Sequence, residues 1–168
     1  MKTLILFRHG KSDWDSGGTD HERPINQRGQ KAAAAMGRFL QAVGQQPDSV
    51  VTSSAVRART TAEWAQKAGA WTAPIRITRA LYEATPFAAL EEARAEPATT
   101  ERLLLVGHQP TLGELVSLLV GGGNFQFPAG TMARVDLGID HWQHAAYGKG
   151  QLVWFIVPRL LTDGDVQV

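Results

Sequence analysis

An α/β architecture, with a mostly parallel sheet covered on both faces by helices, is the fold class that this sequence predicts. Three observations predict it. Short apolar runs of strand length recur along the chain, beginning with Leu4-Ile5-Leu6-Phe7. Segments with apolar residues at helical spacing separate those runs, and strands alternating with helices are the mark of crossover-connected parallel sheets. The length of 168 residues fits one domain, read as residues 1–168, able to bury roughly 70% of its unfolded surface.

The elements follow in order. Leu4 to Phe7 is uninterrupted and apolar, as a strand buried on both faces must be. The irregular stretch Lys11 to Asn26 comes next, and then apolar residues at helical spacing from Arg28 to Val43, stopped by Gly44. Ser49-Val50-Val51-Thr52 is a short second strand, Ala55 to Ala68 a helix halted at Gly69, and Ile75-Arg76-Ile77 a third strand. Phe87 to Ala95 reads as a helix that stops before Pro97, and Leu103-Leu104-Leu105-Val106 as a strongly apolar fourth strand. A helix from Thr111 to Leu119 follows Pro110 and ends at Gly121-Gly122-Gly123. Ala133 to Leu137 alternates like a half-buried strand, and Leu152 to Val157 is nearly continuous. Only polar or Gly-rich connections join these last segments, so antiparallel pairing is expected there. Gly138 to Gly150 is a second long irregular stretch, and long loops in compact domains are often functional. Thr162 to Val168 reads as a frayed tail.

Composition narrows the function. Lys plus Arg total 17 against 16 Asp plus Glu, a formal charge of +1, so nothing in the total points to nucleic acid or an anionic membrane as partner. There is no cysteine, which removes disulfides, thiolate nucleophiles and cysteine metal sites. No stretch approaches the ~18 consecutive apolar residues of a membrane helix. The N-terminal run is too short for a signal peptide. A cytoplasmic location is expected.

In an open α/β sheet, ligands collect outside the carboxyl ends of the strands. Arg8 and His9 lie at that end of the first strand, followed by Gly10. The fourth strand ends in Gly107 and His108. The second leads through Ser53 and Ser54 into a helix with Arg57 in its first turn. Two histidines and two arginines are thus aimed at one edge. Two arginines hold a phosphoryl dianion with planar bidentate forks, which lysine cannot supply. A helix N-terminus near Ser54 is expected to add backbone N–H donors. One neutral imidazole can attack phosphorus while a second, protonated, stabilises the equatorial oxygens. Gly10 is expected to let backbone approach closely.

These residues resemble the histidine phosphatase superfamily: RHG after the first strand, S-x-x-x-R-A-x-x-T from Ser53 to Thr61, and GH after the fourth strand. RHGKSDWDSGGTDHERPINQRG, from Arg8 to Gly29, resembles its SixA-type phosphohistidine phosphatase branch. The resemblance implies a three-layer α/β/α sandwich of the phosphoglycerate-mutase type, without an inserted helical subdomain. It also implies hydrolysis of phosphohistidine on a protein, with His9 as the nucleophile and Arg8, Arg57 and His108 as the phosphate pocket. Neither cofactor nor metal is implied. Two rival readings share the scaffold: hydrolysis of a small phosphomonoester, and a non-catalytic phosphate-binding regulatory module.

The pattern departs from relatives in places. Ser54 replaces the usual proline of the second motif, and Asp15 stands where mutase relatives carry asparagine, so Asp15 is expected to point away from the phosphate. Gln109 cannot donate a proton as the residue after the second histidine does in acid phosphatases. Glu83, in ALYEATP, resembles the L-x-E segment of the mutase branch and is the remaining candidate donor; the alternative is a solvated loop carboxylate. Arg23 and Arg28 read as braces of the first long loop, with Asp20 and Glu22 as partners. DWDSG, from Asp13 to Gly17, lacks the preceding strand that a D-x-D nucleophile requires. His141 and His144 lack a third metal ligand, which favours a surface or subunit contact. Phe125, Phe127 and Pro128 read as a wall of the core or the pocket rim.

Overall fold

The computed structural model describes residues 1–162. Its strands are β1 (Lys2–Arg8), β2 (Ser49–Ser53), β3 (Ile75–Thr78), β4 (Arg102–Gly107), β5 (Met132–Leu137) and β6 (Gly150–Ile156). Its helices are α1 (Gln27–Ala42), α2 (Val56–Gly69), α3 (Pro86–Arg94), α4 (Thr111–Val120) and the single turn α5 (Arg159–Thr162). One six-stranded sheet runs in the order β3-β2-β4-β1-β5-β6. The β1–β4, β2–β4 and β2–β3 pairs are parallel, whereas β5 pairs antiparallel with both β1 and β6.

The central strand explains the first apolar run. Leu4, Ile5, Leu6 and Phe7 are all 0% exposed, and alternate side chains enter opposite layers. Leu4 and Leu6 pack with Leu90 of α3 and Leu112, Leu115 and Leu119 of α4. Ile5 and Phe7 pack with Met36 and Leu40 of α1 and Ala58 and Ala62 of α2, with Leu161 of α5 against the same cluster. Each large side chain so buried contributes about 1.5–3 kcal/mol. Both faces are covered, and three layers result.

Helix boundaries agree with local chemistry. Asn26 accepts the Gly29 N–H at 2.9 Å and starts α1, and Thr85 accepts the Ala88 N–H at 3.1 Å and starts α3, with Pro86 at its first position. The Gly138–Gly150 stretch is tied to the core: Trp142 is 1% exposed and its Nε1–H donates to the Thr100 carbonyl at 2.7 Å. It reaches back toward the start of β1, where Asp140 lies 3.9 Å from the terminal amine, at the sheet edge opposite the strand carboxyl ends. His141 and His144 are exposed there. Thr162, expected to begin a frayed tail, closes α5 instead; the rest of that tail lies outside the described residues. No helix among the described residues is long and apolar enough to cross a membrane.

Candidate active site

Strand register brings the site together. In the β1–β4 pair Arg8 stands opposite Gly107, so the next residues, His9 and His108, leave adjacent strands side by side. Thr52 stands opposite Val106 in the β2–β4 pair, which sets Ser53 beside the same edge. The His9 and His108 ring centroids are 5.2 Å apart. Both histidines line one cavity of about 1220 Å³ with Arg8, Arg57, Tyr82 and Glu83.

His9 is held on every side. Its N–H donates to the Gly107 carbonyl at 3.1 Å, and its carbonyl accepts the Gly130 N–H at 2.9 Å. Its ring Nδ1 lies 2.7 Å from the Gly10 carbonyl. A carbonyl only accepts, so Nδ1 carries the hydrogen and the lone pair of the neutral ring sits on Nε2. Burial pushes the ring down to about 3, and positive charge on His108, Arg57 and Arg8 pushes the same way. His108 is held at about 4, first by burial and then by Arg57. Its Nε2 meets the Ser53 hydroxyl at 2.8 Å. In the free protein both imidazoles are therefore neutral at pH 7.

The arginines are braced by backbone oxygens. Arg8 donates to the Phe127 carbonyl at 2.7 Å, which gives the Phe127 segment a role beyond packing. Arg57 is 6% exposed and donates to the Asp20 carbonyl at 2.6 Å and its carboxylate at 3.2 Å. The Nε–H groups of Arg8 and Arg57 are buried without a partner among the described residues, which leaves donors for an anion.

Three N–H groups at the start of α2 are already engaged within the protein. The Ser54 N–H goes to Thr78 at 3.0 Å, that of Ala55 to the Ser53 hydroxyl at 3.2 Å, and that of Val56 to the His21 carbonyl at 3.0 Å. Gly10 does admit a close backbone approach, and the backbone that comes near is that of Gly29. A Cβ there would lie 2.8 Å from the Gly29 carbonyl oxygen, so the glycine serves the packing of α1 against the end of β1. Its N–H donates to the Thr61 hydroxyl at 2.9 Å.

A polar network surrounds Asp20 that sequence reasoning did not assemble. Asp20 pairs with Arg23 at 2.9 Å and accepts the Tyr82 hydroxyl at 2.6 Å. That hydroxyl and the nearby Arg57 hold its carboxyl down at about 2. Tyr82 in turn edges the His108 ring at 5.9 Å and the His21 ring at 4.8 Å, and His21 Nε2 meets the Ser54 hydroxyl at 2.8 Å. The signal for Tyr82 was its place beside Glu83. Arg23 also lies 3.6 Å over the Trp14 ring, so it braces the loop as expected. Arg28 does not: it is exposed and lines the cavity.

The other expectations resolve locally. Glu83 is exposed at the cavity wall with φ 54°, a left-handed conformation costing a non-glycine residue roughly 1–2 kcal/mol. Thr111 anchors the next residue by donating to the Ala84 carbonyl at 2.6 Å. Gln109 clamps α4, accepting the Gly113 N–H at 3.0 Å and donating to the Phe125 carbonyl at 3.2 Å. Asp15 is exposed and not among the cavity residues. Among the described residues no group of three or more His, Asp or Glu side chains is disposed to hold a metal.

Comparison with known proteins follows from this geometry. The family model for the histidine phosphatase superfamily (branch 1) matches residues 4–87. An uncharacterized protein of Mycobacterium tuberculosis is 33% identical over 91% of this chain and its own full length. A solved structure from Nakamurella multipartitia, named "Putative Phosphohistidine Phosphatase SixA", is 30% identical with a TM-score of 0.80, over 94% of this chain and 96% of that one. The fold is also that of a mycobacterial glucosyl-3-phosphoglycerate phosphatase, at 13% identity and a TM-score of 0.66, over 90% of this chain and 97% of that one.

Proposed function

The chain belongs to the histidine phosphatase superfamily (branch 1), and on that premise we propose that this phosphatase hydrolyses phosphohistidine on a protein through a covalent intermediate on His9. One observation carries the reading: the Gly10 carbonyl fixes the hydrogen on Nδ1 and leaves the Nε2 lone pair in a cavity shared with Arg8 and Arg57.

In the first step His9 Nε2 attacks phosphorus, and the bond from phosphorus to the substrate imidazole breaks. That imidazole leaves neutral once its other ring nitrogen has taken a proton from solvent, which an imidazole titrating near ~6.5 can do. In the second step water attacks the phosphorus of phospho-His9, the P–Nε2 bond breaks, and inorganic phosphate departs with the oxygen of water. Arg8 and Arg57 hold the equatorial oxygens through both displacements. His108 gains a proton more readily once the phosphoryl dianion is bound, because the dianion's negative charge offsets the burial and the Arg57 charge that hold the ring neutral. The arginines take the place that a metal's charge would hold, and the reaction proceeds without metal.

Rapid mixing with a phosphohistidine-bearing phosphotransfer protein should place acid-labile phosphate on His9, and the His9→Ala protein should be inactive. Turnover without label on His9 overturns the mechanism. Much faster turnover of an alkyl phosphomonoester than of the phosphoprotein favours a small-molecule substrate, and turnover of neither would leave a phosphate-binding module.

A further inference from the structure

The mouth of the cavity is electrically divided along the plane of the sheet. On the α1 and α5 side stand Lys11, Arg28, Lys31 and Arg159, all exposed and all lining the cavity that holds His9. Lys11 belongs to that side because its carbonyl accepts the Asn26 N–H at 2.8 Å, at the start of α1. On the α3 and α4 side stand Glu83 and Glu114, also exposed. Arg23 and Arg57 share the single carboxylate of Asp20, whereas none of the four outer cations forms an ion pair among the described residues. The total charge of +1 conceals this separation. Arg28 and Lys31 lie three residues apart on α1, on one face of the helix.

Like charges around one concavity repel each other and raise the local concentration of anions. The phosphoryl group is already served by Arg8 and Arg57, so the outer cations address something else. They come from three separate elements, the end of β1, α1 and α5. That breadth suits several carboxylates on a surface better than one on a compact molecule. Resting on the phosphohistidine reading, we propose that the protein partner carries acidic side chains beside its phosphohistidine, on the side that meets Lys11, Arg28, Lys31 and Arg159. Glu83 and Glu114 face the opposite flank and repel a partner docked the other way round, which fixes its orientation.

The test uses two synthetic peptides, each with one phosphohistidine, flanked on both sides by glutamates in one and glutamines in the other. At low salt the acidic peptide should have a kcat/KM at least ~10-fold higher, through KM, with the advantage fading near ~0.5 M salt. The Arg28→Glu/Lys31→Glu protein should lose or invert that ratio. The ratio is the readout, so a variant of lower overall activity still reports. A ratio near one in the wild type, or one unchanged in the double variant, overturns the inference while leaving phosphohistidine hydrolysis standing. Hydrolysis of an alkyl phosphate with no turnover of either peptide or of free phosphohistidine overturns both. A preference for a sugar bisphosphate over its monophosphate, with equal peptide rates, assigns the flank to a small molecule and overturns the protein partner.

Discussion

Mild acid should destabilise this protein, and two imidazoles should account for most of the loss between pH 7 and pH 5. Burial holds His9 at about 3 and His108 at about 4, whereas a histidine in an unfolded chain titrates near ~6.5. The unfolded state therefore binds more protons over that interval. Stability is fully present above about pH 6.5 and falls as the pH falls toward the folded values. Each imidazole contributes a slope approaching ~1.4 kcal/mol per pH unit. Between pH 7 and pH 5 that amounts to about 2 kcal/mol each and about 4 kcal/mol together, an upper figure because water entering the site relaxes it. A domain's total stability is ~5–15 kcal/mol, and at this size ~1 kcal/mol shifts Tm by roughly 2–4 °C. A fall in Tm of about 8–16 °C is expected. Asp20, held at about 2, stays ionised throughout, and its own contribution is lost only as the pH falls from about 4 toward 2.

Thermal unfolding followed by circular dichroism at pH 7, 6 and 5 checks this. His9→Asn and His108→Asn should each remove about half of the pH dependence, and the double variant nearly all of it. A wild-type slope that survives in the double variant would refute the reasoning from burial, since the protons would then enter elsewhere.

Four further outcomes are expected. Asp20→Asn releases Arg57 and Arg23 from their shared carboxylate, and should weaken orthovanadate affinity and kcat/KM roughly tenfold, as for lost hydrogen bonds to charged groups; unchanged vanadate binding by calorimetry would deny Asp20 that role. Gly10→Ala places a methyl 2.8 Å from the Gly29 oxygen and should cost about 1–3 kcal/mol in urea unfolding, with no loss meaning that α1 shifts freely. Glu83→Gln should slow alkyl phosphate hydrolysis by ~10²–10⁴-fold but phosphohistidine hydrolysis little, since an alkoxide needs an acid and a protonated imidazole does not; equal losses on both substrates would sink the leaving-group argument. Prolonged EDTA treatment should leave activity intact, and activity lost then restored by magnesium or zinc would count against a metal-free reaction.

The parts of the fold legible in the sequence are those that a local pattern dictates. Strand β1 had to read as an apolar run because Leu4 to Phe7 is buried on both faces, and α1 and α3 were legible from apolar residues at helical spacing before Gly44 and Pro97. The meeting of Arg8, His9, Arg57 and His108 was legible because carboxyl ends of parallel strands share one edge. What escaped depends on pairings between distant segments. Tyr82 reaches Asp20 across 62 positions and Trp142 reaches Thr100 across 42, and no local spacing announces either contact. At the α2 terminus, likewise, the Ser54 and Val56 N–H groups go to Thr78 and His21, which the fold alone brings near.

The proton states of the site follow from burial and from one arrangement of charge. Phosphoryl transfer asks for positive charge around the phosphorus and for an uncharged nucleophile beside it. A lysine pocket meets these demands poorly, because burial lowers the proton affinity of an ammonium along with that of its neighbour. Arginine escapes the conflict. Burial and Arg57 lower Arg8 from its ordinary value, yet guanidinium begins so high that it stays charged. The charge then acts on His9, and with burial keeps the lone pair on Nε2 free. The groups placed to attract a dianion therefore act together with burial to keep the His9 ring unprotonated.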